Sequence, residues 1–284
     1  MAVTQLVQVV DDRDAILRAI YGSGITALRG GFSRDFIRTL REDVDAAFAD
    51  AIARPGGAVG RGSDRYYVEL HPQALRGYVA LVAHPWFVAV CETVLGPDYE
   101  IVELGFDVPF AGAQDQPWHR DFPSPVETYR QRRITSLAFN LTCVDTTPDM
   151  GPFEIAPGTQ WETGLEWPDG MFPPTTEWWR YHALASQKLP QMGDISARSA
   201  LTIHRGTANH SPHARPVVVI GVDAPGAGHA ALHDQQVTAA FHATLPAEVR
   251  RHLVCRVVDR LEPIVQKHQI DGLSGGASTP MGMG

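Results

Sequence analysis

Two short segments carry the residue types from which a redox metal centre can be built. The first is Gln116-Pro117-Trp118-His119-Arg120-Asp121; the second starts at His204 and passes His210 and His213 to Arg215-Pro216. Together they supply imidazoles, a carboxylate and a guanidinium. A ferrous ion held on one face by two His and one Asp or Glu keeps three coordination positions open, enough for a chelating co-substrate and dioxygen. An arginine beyond the second His can grip the far carboxylate of a 2-oxo acid through a bidentate, charge-assisted fork. That combination is what a non-haem iron oxygenase requires.

Each member also has a plainer explanation. Among twelve histidines, roughly one His-x-Asp triplet arises by chance, so its surroundings decide. In an extended segment His119 and Asp121 point to the same side, and Phe122-Pro123-Ser124-Pro125 then turns the chain away. His204 ends an expected strand, 199–204, in which Ala200, Thr202 and His204 share one face. His210 and His213 fall in the turn that follows, where a solvated imidazole is the commoner outcome. His71, His84, His229 and His268 have no acidic or strand context that suggests ligation. Arg215 stands at the mouth of the apolar run Pro216-Val217-Val218-Val219-Ile220. Turned inward it needs an anion, because an unpaired buried guanidinium is costly.

The elements that must position these residues follow from periodicity and punctuation. Helices are expected mainly within 11–96. Residues 11–21 have helical spacing, and Ser33 caps a helix whose apolar face is Phe36, Ile37, Leu40, Val44, Ala47 and Phe48, ending at Pro55-Gly56-Gly57. Residues 86–95 follow Pro85 as a third helix. The glycine-rich stretch 56–62 lacks the Gly-Lys-Ser/Thr of a phosphate loop and reads as a mobile loop. From about 100 to 222 the chain changes to short β-branched runs (100–110, 133–144, 153–156, 199–204, 216–222) separated by Pro, Gly and Asp, the pattern of an all-β barrel or jelly roll. A last helix is expected at about 246–258 and a flexible tail at 271–284, leaving 1–270 as a single domain. The long segment 161–188, with Trp161, Trp167, Trp178, Trp179 and Tyr181, is either a lid that meets substrate or packing over the barrel mouth.

A net charge of -8, with basic residues scattered, argues against nucleic acid or an anionic membrane as partner. Three widely separated cysteines give neither a disulfide framework nor a Cys-rich zinc site. No basic leader precedes an apolar run, and no such run reaches the length of a membrane span. The expectation is a cytoplasmic protein acting on a small molecule; nothing in the sequence sets its oligomeric state.

The assembled pattern resembles the phytanoyl-CoA dioxygenase family: Gln-Pro-Trp-His-Arg-Asp, then Gly193-Asp194 leading to a strand, then His-Arg-Gly-Thr-Ala-Asn-His-Ser with Arg-Pro behind it. The resemblance takes in 22–44 and 145–160, and covers most of 15–222. Met150 and Thr159-Gln160 stand where many members have Asn and Ser-His; these departures bear on the substrate more than on the reaction. The resemblance implies a double-stranded β-helix, a cupin-like jelly roll, mainly β with flanking helices. It implies that His119, Asp121 and His204 bind Fe(II) and that Arg215 grips the C5 carboxylate of 2-oxoglutarate. It further implies hydroxylation of a small molecule with O2, yielding succinate and CO2, as relatives often do in secondary metabolism. Asn140 or Thr142, which share a face of the strand 133–144, and Gln116 are further candidates for contact with the oxo acid; packing explains them equally well.

The same cofactors also support desaturation, epimerisation or ring formation. Halogenation is disfavoured, because it needs the carboxylate ligand replaced by a small residue and Asp121 is present. A cupin-like metal-binding isomerase or small-ligand-binding protein without redox chemistry is the rival from another class.

Overall fold

Alternation along the β-strands separates an apolar layer from a cavity of mixed polar and apolar lining in the computed structural model, which describes residues 12–274 apart from Pro168 and His268. The larger sheet has seven strands in the order β1-β8-β5-β10-β4-β3-β2. They are β1 (Ile25–Leu28), β2 (Val59–Gly60), β3 (Arg65–Glu69), β4 (Glu100–Pro109), β5 (Ser136–Thr142), β8 (Ile195–Ser199) and β10 (Val217–Asp223), and all pair antiparallel. Facing it is a three-stranded antiparallel sheet of β7 (Ser186–Lys188), β6 (Phe153–Ile155) and β9 (His204–Gly206). Two antiparallel sheets with flanking helices make the expected jelly-roll architecture.

On β10, Val218, Ile220 and Val222 stand beside Phe106 and Leu104 of β4 and beside Leu141, Phe139 and Leu137 of β5. These side chains are buried against Ile16 and Ile20, Ile37, Leu40 and Val44, and Phe87 and Val90, from the helices Arg13–Ser23, Arg34–Ile52 and Pro85–Val94. Burying each Leu, Ile or Phe is worth about 1.5–3 kcal/mol, so this layer fixes the outer face of the sheet. Ser33 caps the longest helix as its sequence requires, its hydroxyl accepting from the Phe36 N–H at 3.2 Å. The alternate residues, Val217, Val219, Gly221 and Asp223 on β10 with Ser136, Ala138, Asn140 and Thr142 on β5, line a cavity of about 1000 Å³ between the sheets.

Several expected elements differ. The run 199–204 is not one strand: β8 stops at Ser199, a turn follows, and His204 opens β9 in the other sheet. Periodicity cannot distinguish a continuing strand from a corner, and here Thr202 packs onto Gly24, whose φ of +81° and missing Cβ leave room for the Thr202 hydroxyl. The helix expected at 246–258 is only Ala247–Arg250, followed by β12 (Arg256–Val258), which runs parallel to β11 (Gln236–Thr238). The β-branched Val257 and Val258 favour this, as do the bonds from Ile101 N to His252 O (2.7 Å) and Val254 N to Ile101 O (3.0 Å), which hold the chain extended. In place of a mobile loop at 56–62, Val59 and Gly60 pair with β3 and Arg61 is buried. The tail 271–284 begins as a short helix, Asp271–Ser274, whose buried Leu273 lines the cavity; 275–284 lie outside the described residues, as does His268.

Within 161–188 Trp179 is exposed, Phe172 stacks on His119, and no aromatic residue of the segment is on the cavity lining. Trp167 and Tyr181 join Trp118, Ala156 and Ile203 in a second apolar cluster, and Trp161 packs on the main core. Among the described residues no helix is long and apolar enough to cross a membrane.

Gly193 sits where the chain enters β8, with φ +100°; an added Cβ would lie 2.3 Å from the Phe32 carbonyl oxygen. Gly193→Ala is therefore expected to destabilise the fold by about 2 kcal/mol or more, combining left-handed strain with displacement of backbone. Urea denaturation of the variant beside the parent measures it.

Candidate active site

His119 and His204 are placed opposite each other by a pair of reciprocal backbone hydrogen bonds. His119 N donates to His204 O at 3.0 Å and His204 N to His119 O at 2.8 Å. Their ring centroids lie 4.4 Å apart. Alternation around His119 sorts its neighbours: Trp118 is buried against Tyr181, and the Arg120 guanidinium lies 4.4 Å from the Trp167 ring centroid, whereas His119 and Asp121 line the cavity. Asp121 is held in place by its N–H, which donates to Ala200 O at 3.1 Å.

Both imidazoles are prepared to donate a lone pair. Each Nδ1 donates to a backbone carbonyl, His119 to Pro117 O (2.8 Å) and His204 to Thr202 O (2.9 Å). The proton is thereby fixed on Nδ1 and Nε2 is left free, the arrangement that orients histidine ligands in metal sites. Burial pushes both rings toward the neutral form, His119 down to about 4 and His204 well below its usual value. Asp121 lies 3.4 Å from His204 Nε2 and is gripped by Arg198 through both oxygens, at 2.9 and 3.0 Å.

Among the described residues no group of three or more His, Cys, Asp or Glu side chains stands in a geometry that could hold a metal ion; Asp121 is turned onto Arg198. The donor chemistry nevertheless fits a ferrous ion: two imidazoles pushed toward the neutral form and a carboxylate line the same cavity.

The neutral His119 has a consequence for the metal-free protein. An unfolded chain binds this proton near pH 6.5, the folded chain only near 4. Between those values the unfolded state holds more protons, so stability is present above pH 6.5 and falls as pH drops toward 4, by roughly 3 kcal/mol from this group. Denaturation curves at pH 7 and pH 4.5 should show the loss, and His119→Gln should show less of it.

Arg215 is buried, not turned to solvent. Its Nε donates to the carbonyls of Met150 and Gly151, each at 3.1 Å. No carboxylate lies within ion-pair distance among the described residues, and burial with Arg65 nearby lowers its pKa to about 10. It lines the same cavity as the triad. Thr142 and Asn140 line it too, although the Thr142 hydroxyl donates to Val144 O at 3.2 Å. The Gln116 amide is consumed by backbone: Oε1 accepts from Gly206 N and Nε2 donates to Arg61 O, both at 2.9 Å. Any contribution from Gln116 is thus to hold β9 in position. His210 and His213 are exposed.

Sequence reasoning missed three buried arginines that line this cavity: Arg61, Arg65 and Arg198. Arg65 bonds Asp107 (3.2 Å) and Thr207 O (2.9 Å), and Gly206 makes way for it, an added Cβ there being 2.5 Å from Arg65 Nη1. A signal existed. In Arg65-Tyr66-Tyr67-Val68-Glu69 and in Ile195-Ser196-Ala197-Arg198-Ser199, a period of two sets the polar residues opposite the apolar ones. The strand alone does not say whether that polar face meets bulk water or an enclosed cavity.

A sequence profile described as Phytanoyl-CoA dioxygenase (PhyH) matches residues 21–217. The chain belongs to this family. Its cofactors are those of the phytanoyl-CoA dioxygenase family: Fe(II), 2-oxoglutarate and O2. The match takes in His119, Asp121, His204 and Arg215 and ends at the start of β10. Among solved structures the chain is similar to the non-heme alpha ketoglutarate dependent epimerase SnoN from nogalamycin biosynthesis, with TM-score 0.61 and 17% identity over 74% of this chain and 82% of that one. SnoN in complex with Fe3+, alpha ketoglutarate and nogalamycin RO gives TM-score 0.59 and 18% identity over 74% and 83%. At such identities the likeness is one of fold. No curated protein matches the chain in sequence.

Proposed function

We propose that this family member is an Fe(II)- and 2-oxoglutarate-dependent hydroxylase of a small molecule, with His119, Asp121 and His204 as the iron ligands and Arg215 as the co-substrate's anchor. The reading is carried by one observation: two imidazoles with their Nδ1 protons fixed on carbonyls share with the Asp121 carboxylate a cavity that also holds the buried Arg215 guanidinium, which has no carboxylate partner among the described residues. A dianionic oxo acid satisfies that guanidinium at one end and offers chelating oxygens at the other. Bound iron supplies oxidation of a C–H bond by O2, coupled to conversion of 2-oxoglutarate into succinate and CO2.

The protein's own part is positional. Arg198 steadies Asp121, Gln116 holds β9 against the Arg61 segment, and the apolar cluster around Trp118 stiffens the wall behind both histidines. Asp121 in place of a small residue favours oxygen insertion over halogenation.

Anaerobic addition of Fe(II) and 2-oxoglutarate should produce a weak visible charge-transfer band that neither gives alone, and admission of air should yield succinate. Screening small metabolites for stimulated succinate formation, then finding one oxygen atom from 18O2 in the product, completes the test. A product of unchanged mass would point instead to epimerisation, and a missing band with no succinate would end the oxygenase reading.

A further inference from the structure

The cavity holds a second set of polar groups apart from His119, Asp121, His204 and Arg215. Asp223, the last residue of β10, is buried, and its carboxylate accepts from Ser136 Oγ (2.6 Å) and from the His229 backbone N–H (3.1 Å). It also accepts from His229 Nδ1, which lies 3.0 and 3.1 Å from its two oxygens. Among the described residues no Lys or Arg stands within ion-pair distance of it; its one ionic partner is His229. A carboxylate only accepts, so His229 Nδ1 carries a proton and Nε2 is the ring nitrogen left to meet a ligand. Phe122, next in sequence to Asp121, stacks on the imidazole with centroids 3.7 Å apart and planes 19° from parallel. The ring is thus fixed by its face and by one nitrogen. The other nitrogen has no hydrogen-bond partner among the described residues, on a side chain that lines the cavity. Nothing in the sequence gave His229 an acidic neighbour; the fold supplies one.

We propose that His229, oriented by Asp223, anchors the substrate by accepting a hydrogen bond from an alcohol or phenol hydroxyl at Nε2. This rests on the oxygenase reading of the cavity and adds a substrate class to it. Apolar lining is supplied by Phe122, Val102, Ala138 and Leu273, which suits a hydroxyl carried on a largely hydrocarbon skeleton. Glu103 stands across Gly221, whose missing Cβ leaves room for its carboxylate, an added Cβ there being 2.6 Å from Oε2. With Asp223 it disfavours a carboxylate or phosphate at this end. His233, a further imidazole on the lining, is paired with Glu69 at 3.5 Å.

The test compares 1-naphthol with 1-methoxynaphthalene, which share a ring system while only the first donates a hydrogen bond. Calorimetric titration into the anaerobic protein loaded with Fe(II) and 2-oxoglutarate should show 1-naphthol binding at least ~10-fold more tightly, since a site built for a hydroxyl rejects the analogue that cannot donate. Asp223→Asn, whose amide can donate to Nδ1, shifts the ring proton to Nε2 and should collapse the preference; His229→Phe, which retains the stack on Phe122, should do the same. The 15N imidazole shifts of His229 report the tautomer directly in each protein. Equal binding of the two probes, no binding of either, or a preference that survives in both variants would overturn the proposal and leave Asp223–His229 as a structural clasp. Repeating the titrations without metal separates the two readings: failure to bind Fe(II) and 2-oxoglutarate ends the oxygenase assignment, while the hydroxyl preference is still read by itself.

Discussion

Arg215→Ala protein is expected to bind 2-oxoglutarate at least ~100-fold more weakly than the parent. A guanidinium gripping a carboxylate with two charge-assisted hydrogen bonds contributes about 1.5–3 kcal/mol through each, and 1.4 kcal/mol is tenfold in affinity. The loss should appear in the KM for 2-oxoglutarate and in the missing anaerobic band. Arg215→Lys should recover little, because an ammonium cannot reproduce the planar fork. The metal-free protein should behave in the opposite sense. With no carboxylate partner for Arg215 among the described residues, its removal leaves no buried acid behind, and a desolvated guanidinium is itself unfavourable. Thermal melting of Arg215→Met should therefore equal or exceed the parent without 2-oxoglutarate and fall below it when the co-substrate is added. Co-substrate affinity within ~3-fold of the parent would remove Arg215 from the site.

His204→Ala is expected to abolish succinate formation and weaken Fe(II) binding by more than ~100-fold, given that loss of a partner one shell further out already costs 10–100-fold. The fold should survive, since the bonds that set β9 in place run through its backbone to Ile155 and His119. His210→Ala and His213→Ala are the controls. Both side chains are exposed in the turn after β9, and iron binding should stay within ~2-fold of the parent for each. An iron-competent His204→Ala protein would break the proposed triad and with it the chemical reading of the cavity.

Much of this organisation was legible in the chain. The Ser33-capped helix, the β-branched runs that became β4, β5 and β10, and the common face of Ser136, Asn140 and Thr142 all follow from local periodicity. Local rules failed at corners. The alternation of Ala200, Thr202 and His204 looked like a strand, yet the chain crosses there from one sheet to the other, because a two-residue period persists through any extended stretch whether or not it is paired. The segment 246–258 failed for a related reason: its β-branched end found a partner in β11, remote in space from anything a helical pattern can register.

By itself, then, the sequence determined the family and its cofactors, Fe(II), 2-oxoglutarate and O2, and singled out the two histidines, Asp121 and Arg215 as the residues proposed to hold them. Only the tertiary structure decided which polar side chains share an enclosed space. Arg61, Arg65 and Arg198 face the cavity, Gln116 is spent on backbone, Trp167 and Tyr181 pack behind the site, and His229 meets Asp223. The reason is physical. Side-chain periodicity reports which face of a strand a residue is on, but whether that face meets water, a helix or a second sheet depends on pairings between strands far apart in the chain, and each strand carries only its own half of that information.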